Sequence, residues 1–350
     1  MTPSALHATD SGSVISFGAQ ALRYYRREHT TAAREPLRTR AAWRGCDLAS
    51  SEEWVVRLTA SQVAELEAAA RSARDRGGPL AELSRKSFPL PGLGPAVADW
   101  VAELDRGRGF LLLRGLPVER WGEELTSWVY WGLGQHLGEP GAQNMAVDLL
   151  GHVFDTGEDA ADPYVRRYRT AGAIAYHCDL ADVVALLCLN TARHGGTSRI
   201  ASSVAVYNVL LERRPEWVDR LYQPFLLDTR NEETEGGPAW IPVPPCRHAN
   251  GRLRTFFHSD YFRSVARHTG VNRPTEQELE LLDLYEEIAN SQALRLDMQL
   301  ERGDVQLLSN HVVIHARAAY EDHTGPGLRR HLLRLWLSLR STDSPEEEEG

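Results

Sequence analysis

The sequence has almost no lysine and few cysteines. Of its 39 basic residues only Lys86 is a lysine, so arginine supplies nearly all the positive charge and a single arginine is weak evidence for function. The four cysteines, Cys46, Cys178, Cys188 and Cys246, form neither a C-x-x-C pair nor a disulfide framework. This spacing favours a reducing compartment, and we expect a cytoplasmic protein.

The sequence also lacks the segments that mark export, membrane insertion or nucleic-acid binding. No apolar run approaches the roughly 18 residues of a membrane span. Residues 1–17 have no basic start followed by an apolar core, so they are not typical of a signal peptide. The net charge is −9, without a basic block, which argues against a nucleic-acid surface. With 42% apolar and 25% charged residues, the composition is that of a globular protein.

Secondary-structure signals run from about residue 45 to residue 340 without a clear linker or internal repeat. Residues 1–40 lack periodicity, and we predict a flexible N-terminal arm there. Residues 41–340 are predicted to form a single domain, and residues 341–350 an acidic tail. Short strand candidates flanked by helices dominate this domain. The pattern predicts a mostly β fold with flanking helices (α+β), built around a barrel or jelly roll.

Local signals place several elements within this domain. Thr59 with Gln62, and Thr275 with Glu278, form capping boxes that predict two helix starts. The continuous apolar run Gly109–Leu116 predicts a buried strand. A helix containing three tryptophans follows it, and this aromatic stripe is typical of a core.

The C-terminal stretch from Asp304 to Leu339 carries the strongest pattern. Read with a period of two, one face carries Arg330, Arg334 and Trp336, while Leu333, Leu335 and Leu337 fall on the other. Both faces look packed, so we expect the arginines to point into a cavity. At roughly 3.3 Å per residue their backbones lie about 13 Å apart, far enough for two anions or for two ends of one site.

A histidine and an aspartate, His177 and Asp179, lie two residues apart where a predicted strand meets a turn. Side chains at i and i+2 of an extended segment point the same way, so the pair is able to occupy two adjacent positions on a metal. One more histidine would complete a 2-His-1-carboxylate face with open positions. A lone H-x-D pair is more often structural, and a second one occurs at 258–260.

The order of elements from Gly109 to Leu339 is similar to that of the Fe(II)/2-oxoglutarate-dependent oxygenases of the taurine dioxygenase and clavaminate synthase-like family. The strand GFLLLRGL comes first, followed by the H-x-D pair and the GGTS turn at 195–198. The stretch GDVQLLSNHVVIHAR and the strand RRHLLRLWLS then complete the match. The resemblance implies a double-stranded β-helix (jelly-roll) core.

The resemblance implies three iron ligands: His177, Asp179 and His315. His315 is preferred because it precedes Ala-Arg and follows an asparagine by five residues, as in the family motif. His311 lies on the same strand face by a period of two and remains an alternative. The second H-x-D pair, at 258–260, has no place in the family pattern.

The resemblance also implies a cofactor site. Arg330 matches the arginine that pairs with the distal carboxylate of 2-oxoglutarate, a task suited to a planar guanidinium fork. Ser198 stands where the family usually has a threonine hydroxyl for the same cofactor. Arg334 matches a position that contacts the cofactor or an anionic group of the substrate.

The implied reaction uses Fe(II), O2 and 2-oxoglutarate, releases succinate and CO2, and hydroxylates, desaturates or cyclises a small-molecule metabolite. Such enzymes serve catabolism or natural-product pathways. Arg169 and Arg334 allow an anionic substrate, whereas Trp121, Trp128 and Tyr168 allow an apolar one. Two rival interpretations are an inactive jelly-roll binding protein and a zinc-dependent hydrolase using the same ligands. The sequence leaves the oligomeric state open.

Overall fold

The computed structural model describes residues 6–7, 15–144, 146–159, 162, 164–230, 237–325 and 327–340. The α-helices in this part of the chain are α1 (Phe17–Tyr25), α2 (Gly45–Leu48), α3 (Ala60–Asp75), α4 (Gly94–Arg106), α5 (Val118–Leu137), α6 (Ser203–Arg213), α7 (Ser259–Ser264) and α8 (Glu276–Ala289). None of the described helices has both the length and the apolar content needed to cross a membrane.

The same residues form eighteen strands. They are β1 (Leu6–His7), β2 (Val55–Arg57), β3 (Phe110–Arg114), β4 (Glu139–Gly141), β5 (Asp148–Val153), β6 (Ile174–His177), β7 (Val183–Asn190), β8 (His194–Gly195), β9 (Ser198–Ser202), β10 (Phe225–Asp228), β11 (Trp240–Val243), β12 (Cys246–Ala249), β13 (Arg252–Thr255), β14 (Leu296–Met298), β15 (Val305–Ser309), β16 (Val313–Arg317), β17 (Tyr320–Glu321) and β18 (His331–Ser338).

Two sheets make up the centre of the fold. The larger has the order β1-β5-β18-β7-β15-β3-β2, with β4 also paired to β18, and the smaller has the order β14-β9-β16-β6. Pairing within both sheets is antiparallel except for β2 with β3. This non-sequential strand order, with helices packed around it, confirms the predicted strand-rich fold with flanking helices.

Strand β18 is buried on both faces, as its sequence predicts. Leu333, Leu335 and Leu337 have no solvent exposure and pack in the same apolar cluster as helix α5. Arg334 and Trp336 alternate with them and point to the opposite side, where they are also buried. The alternation therefore divides the strand between a leucine core on one side and a cavity on the other.

The predicted helix starts are confirmed. The Thr59 hydroxyl accepts the Gln62 N–H at 3.2 Å, and the Gln62 side chain accepts the Thr59 N–H at 2.9 Å. Thr275 and Glu278 form the same reciprocal pair at the start of α8. Each box satisfies two backbone donors that a helix start leaves without partners, which fixes where the helix begins.

Residues 15–40 of the predicted flexible arm are packed onto the domain instead. The Tyr24 hydroxyl donates to the carbonyl of Pro244 at 2.7 Å, and its ring is 4% exposed. The Tyr207 hydroxyl donates to the carbonyl of Ala33 at 2.6 Å. Residues 1–5 and 8–14 of the arm, and the acidic tail at 341–350, lie outside the described residues.

Asp182 joins three distant parts of the chain. Its carboxylate accepts the Leu339 N–H and contacts His311 Nε2, each at 2.9 Å, and it forms an ion pair with Arg27. Burial raises the pKa of Asp182, but His311, Arg27 and the Leu339 N–H outweigh burial and hold that pKa well below its ordinary range. The carboxylate is therefore ionised in the folded protein and anchors the described arm to the end of β18.

We expect Asp182→Ala to lower the free energy of unfolding by about 3 kcal/mol at pH 7. That is the lower end of the range for breaking a buried ion pair, because Arg27 keeps some solvent contact. Since the folded pKa is depressed, this stabilisation is present above the unfolded pKa of about 3.9 and is lost as the pH falls through the folded pKa. Denaturant unfolding of the wild type and of Asp182→Ala at pH 7 and pH 3 tests this. The same difference in free energy of unfolding at both pH values would contradict the prediction.

Candidate metal centre and active site

Three predicted side chains, His177, Asp179 and His315, meet between the two sheets. Their ligand atoms all lie within 4.8 Å of one another. His177 Nε2 and His315 Nε2 each lie 3.9 Å from an oxygen of Asp179, and the two imidazole centroids are 4.1 Å apart. Non-haem Fe(II) sites use two imidazoles and one carboxylate on one face of the metal, which leaves the coordination positions on the other face open.

The backbone places these side chains. His177 ends β6 and pairs directly with His315 on β16, which brings the two rings together. The carbonyl of Ala175 lies 3.0 Å from His177 Nδ1 and fixes this nitrogen as the donor, so the Nε2 lone pair faces the other ligands. The Asp179 N–H donates to the Asn310 side chain at 3.1 Å, which anchors the loop after β6.

Two of these side chains, Asp179 and His315, carry the protonation states that a metal requires. Burial raises the pKa of Asp179, but the nearby Arg334, His315 and His177 hold it below its ordinary value. Burial, and then repulsion from His177, lower the pKa of His315 to about 3. The carboxylate is thus ionised and the His315 ring neutral at physiological pH, so both offer lone pairs.

The cavity beside these ligands lies between the sheets and is lined by three arginines: Arg317, Arg330 and Arg334. All three are buried, with 6–7% exposure. Asp179 is the only acidic side chain among the lining residues that the structure describes. The side chains leave a free volume of about 60 Å³ in this conformation. The cavity therefore combines an excess of positive charge with the candidate ligand group His177, Asp179 and His315, which is called the metal corner below.

Arg330 lies just before β18 and against the predicted GGTS turn. A Cβ atom on Gly196, whose φ is +71°, would lie 3.0 Å from Arg330 Nε, so the glycine permits close packing of the guanidinium. The Arg330 guanidinium carbon lies 5.1 Å from the centroid of the Tyr320 ring. Arg330 Nη1 is buried without a hydrogen-bond partner in the described residues. A buried cation with a free donor suits a carboxylate ligand.

Ser198 lies on β9 beside the same cavity. Its hydroxyl forms a hydrogen bond with the Gln306 side-chain amide, with atoms 2.9–3.0 Å apart. Both side chains are buried. The hydroxyl is therefore oriented by a neighbour rather than by solvent, and it lies where the sequence comparison predicts a cofactor contact.

Arg334 contacts the metal corner directly. Arg334 Nη1 lies 3.8 Å from Asp179, and Arg334 Nε donates to the Gln143 side chain at 2.7 Å. Gln143 in turn donates to the Arg334 carbonyl at 2.8 Å. The guanidinium also lies 4.6 Å from the centroid of the Tyr168 ring. Arg334 is thus held rigidly, with its charge next to the carboxylate ligand.

Sequence reasoning did not assign a role to Arg317, which the structure places in the cavity. Its Nη2 donates to the Thr170 carbonyl at 2.7 Å, and its Nε and Nη1 have no partner in the described part of the chain. Its guanidinium lies 4.7 Å from the centroid of the Tyr320 ring, on which Arg330 also packs. The signal was present in the sequence, because Arg317 lies two residues after His315 and shares its strand face.

His311 does not join the metal corner. It lies in the turn before β16 and pairs with Asp182 and Arg27, so the period-two argument that kept it as an alternative is wrong. The backbone leaves the extended conformation at residues 310–312, and the two histidines therefore do not share a face. The sequence alone did not show where β16 begins.

The second H-x-D pair also separates. His258 lies beside the metal corner, with its ring centroid 5.1 Å from that of His177, and it stacks on Tyr261 at 3.7 Å. Asp260 is on the first turn of α7 and is not part of the group of potential ligands. The pair is therefore not a ligand set, although His258 borders the site.

Three residues named for substrate binding lie elsewhere. Arg169 forms a 2.7 Å ion pair with Glu158 near the surface and does not line the cavity. Trp121 and Trp128 pack in the core around α5, which confirms the aromatic stripe as structural. Of the aromatic candidates, Tyr168 does line the cavity.

Comparison with known proteins assigns the chain to a family. Residues 76–336 match the family described as "Taurine catabolism dioxygenase TauD, TfdA family". The chain is 33% identical to FR-33289 synthase of Streptomyces rubellomurinus, over 88% of this chain and 92% of that protein. It is 32% identical to taurine hydroxylase-like protein SAT17 of Stachybotrys chartarum, over 85% of this chain and 79% of that protein.

Solved structures share the fold. Asparagine oxygenase, in a complex with Fe(II), hydroxyasparagine and succinate, aligns with a TM-score of 0.64 at 19% identity, covering 82% of this chain and 94% of that one. Non-heme iron oxygenase OrfP with Fe and alpha-ketoglutaric acid aligns with a TM-score of 0.58 at 16% identity, with the same coverage. The predicted double-stranded β-helix is confirmed. The chain belongs to the TauD, TfdA dioxygenase family and is an Fe(II)/2-oxoglutarate-dependent oxygenase.

We expect His315→Ala to abolish tight Fe(II) binding and His311→Gln to retain it. The first change removes one of three converging donors, whereas the second lies in the Asp182 cluster away from them. Anaerobic equilibrium dialysis of the metal-free proteins measures this, with thermal unfolding as a check on folding. Loss of iron binding in the folded His311→Gln protein but not in His315→Ala would contradict the assignment of His315 as a ligand.

Proposed function

We propose that this oxygenase oxidises a small anionic metabolite, with His177, Asp179 and His315 as the iron ligands and Arg330 with Ser198 as the 2-oxoglutarate site. The observation that carries the proposal is the convergence of two imidazoles and a carboxylate beside three buried arginines. Neither a zinc hydrolase nor an inactive binding protein would explain why three buried arginines lie together beside these ligands.

The ligand set supports iron. Bound together, Fe(II), 2-oxoglutarate and O2 supply the oxidising power needed to break an unactivated C–H bond. The protein's part is to hold the metal by one face, leaving the other positions open. Asp179 also bears on the outcome: a carboxylate in this position occupies the place that halogenases of this family leave for chloride. We therefore favour hydroxylation over halogenation.

The surroundings of Arg330 support its role as the 2-oxoglutarate anchor. The guanidinium is buried between Gly196 and Tyr320, and Nη1 lacks a partner among the described residues. A planar fork forms two parallel hydrogen bonds with a carboxylate, which orients the cofactor as well as binding it. Ser198, oriented by Gln306, adds a hydroxyl to the same region.

The charge of the cavity supports an anionic substrate. Its described lining carries three guanidinium groups and one carboxylate. The two positive charges of Fe(II) and the two negative charges of 2-oxoglutarate cancel, so two positive charges remain. Uncompensated charge is costly in a buried cavity, and an anionic group on the substrate would offset it. Arg317 and Arg334 are the lining arginines left for this purpose once Arg330 is assigned to 2-oxoglutarate.

A further cation stands behind the metal corner. Arg230 is 9% exposed, and its guanidinium carbon lies 4.2 Å from the centroid of the Tyr261 ring. Tyr261 stacks on His258, which borders His177. Arg230 Nε has no partner in the described part of the chain. This arrangement extends the positive field on the side where His258 adjoins the ligands.

The context of the reaction is proposed from the relatives. FR-33289 synthase is named as a synthase, which supports a biosynthetic oxidation in a natural-product pathway rather than a catabolic one. A cytoplasmic location is supported by the four cysteines, all of which are free thiols, three of them buried.

We expect Arg330→Ala to weaken 2-oxoglutarate binding at least tenfold, because the distal carboxylate would then be buried without its partner. The test is a titration of 2-oxoglutarate into the Fe(II) protein without O2, following the weak visible charge-transfer band. Arg329→Ala is the matched control, since its exposed guanidinium donates to the Asp155 carbonyl outside the cavity. Equal affinity in the wild type and Arg330→Ala would place the cofactor elsewhere.

We expect anionic candidate substrates to accelerate succinate formation more than their neutral counterparts. A panel that pairs carboxylates, sulfonates and phosphorylated compounds with the corresponding amides or esters tests this, because the surplus charge favours only the anions. Arg317→Gln should raise the KM of an active anion severalfold, because it removes one of the two lining arginines left for the substrate. Stronger stimulation by the neutral members would contradict the proposed substrate class.

A further inference from the structure

A second, larger cleft lies away from the metal corner. Its free volume is about 730 Å³, against about 60 Å³ for the cavity at the metal corner, and the two share no lining residue. Its walls come from helix α4, the end of α5, strand β13, the segment after α1 and the end of β18. A volume of this size is in the range of small-molecule sites.

Positive charge dominates this cleft. Two acidic side chains, Asp105 and Asp182, line it. They face six arginines: Arg27, Arg85, Arg106, Arg252, Arg254 and Arg340. The chain as a whole carries a net charge of −9. This concentration of arginines in one cleft of an acidic protein is therefore a local feature and not a reflection of overall charge.

The two acidic residues are already engaged. Asp182 contacts His311, Arg27 and the Leu339 N–H. Asp105 lies 3.0 Å from Arg252 and 3.8 Å from Arg254. Arg340 is also paired, because its Nε lies 3.8 Å from Glu139. The excess positive charge therefore rests on Arg85 and on the three arginines that share the two aspartates.

The arginines of the cleft repel one another. Burial, and then repulsion from Arg27 and Arg252, lower the pKa of Arg254 to about 9. Burial and then Arg85 lower the pKa of Arg340. Arg85 itself forms no hydrogen bond or ion pair within the described residues. An anion placed among these guanidinium groups would relieve the repulsion and gain charge-assisted hydrogen bonds.

The lining also includes apolar side chains. Helix α5 contributes Leu137, and one face of α4 contributes small and aliphatic side chains: Val97, Ala98, Val101 and Ala102. A cleft lined by both cationic and apolar side chains fits an organic molecule with a charged end and a hydrophobic body.

We propose that this cleft is a second binding site, for a ligand that carries two or more anionic groups of the phosphate or carboxylate type. Guanidinium forks bind such oxygens in a bidentate manner, and several forks around one cleft favour multiple charges over one. The same chemistry has a source within the chain, because the run Glu346–Glu349 follows Arg340, which lines the cleft. The experiment distinguishes the two sources.

The probe is inorganic tripolyphosphate, titrated calorimetrically into the full-length, metal-free protein. We expect Arg254→Gln to weaken binding at least tenfold and Arg85→Gln at least threefold. The matched control is Arg213→Gln, because this exposed arginine pairs with Glu287 outside the cleft. A loss of binding in Arg330→Ala with none in Arg254→Gln would place the anion in the metal cavity and overturn the proposal. Arg85 is exposed, so its variant remains informative if Arg254→Gln does not fold.

A fourfold variant, with Glu346, Glu347, Glu348 and Glu349 each changed to Gln, identifies the source. Tighter tripolyphosphate binding than in the wild type would mean that the chain's own glutamates compete for the cleft. Unchanged binding would mean that the site takes a free ligand. Either result supports the anion site. Absence of binding in the wild type and this variant, or equal losses in Arg254→Gln, Arg85→Gln and Arg213→Gln, would overturn it.

Discussion

The antiparallel pairing of β6 with β16 is the constraint on which the site depends. It sets His177 directly opposite His315, so two imidazoles meet without any long side chain having to reach. Asp179 lies two residues after the first histidine. Its loop is anchored because the Asp179 backbone N–H donates to the Asn310 side chain. A register shift of one residue would turn one histidine to the opposite face of the sheet. The fold therefore fixes the geometry of the candidate ligands through backbone hydrogen bonds.

Charge is the second constraint, and it follows from the first. Collecting donor groups between two sheets buries a carboxylate, and Arg334 keeps that carboxylate ionised. The arginine is in turn oriented by Gln143. Arg317 and Arg330 pack on the same tyrosine ring, Tyr320, and among the described lining residues neither guanidinium has an acidic partner. The result is a site that offers an ionised carboxylate and imidazole lone pairs to a cation, and guanidinium groups to anions.

The sequence predicted the regular elements, and it named three side chains, His177, Asp179 and His315, that the structure brings together. Both results depend on local pattern. Capping boxes and the two-faced strand β18 are readable from neighbouring residues alone. Prediction from the sequence failed where tertiary contacts determine the structure. Residues 15–40 show no clear periodicity as a whole, yet they include helix α1, and Tyr24 buries its ring through a contact with a residue more than 200 positions away. His311 was kept as an alternative ligand because the boundary between turn and strand is invisible to a period-two reading. Arg317 shared the strand face of His315 but was overlooked, since arginine is so common here.

Two short segments serve both arginine-lined regions. Asp179 and Asp182 lie three residues apart, one at the metal corner and the other in the large cleft. His315 and His311 lie four residues apart and divide in the same way. Each histidine thus accompanies one carboxylate, and both carboxylates stay ionised despite burial because cations surround them. A change in charge at Asp182 in the large cleft would act on the same backbone segment that positions Asp179 at the metal corner. The physical link between the two regions is therefore the short chain from Asp179 to Asp182, anchored by the turn before β16.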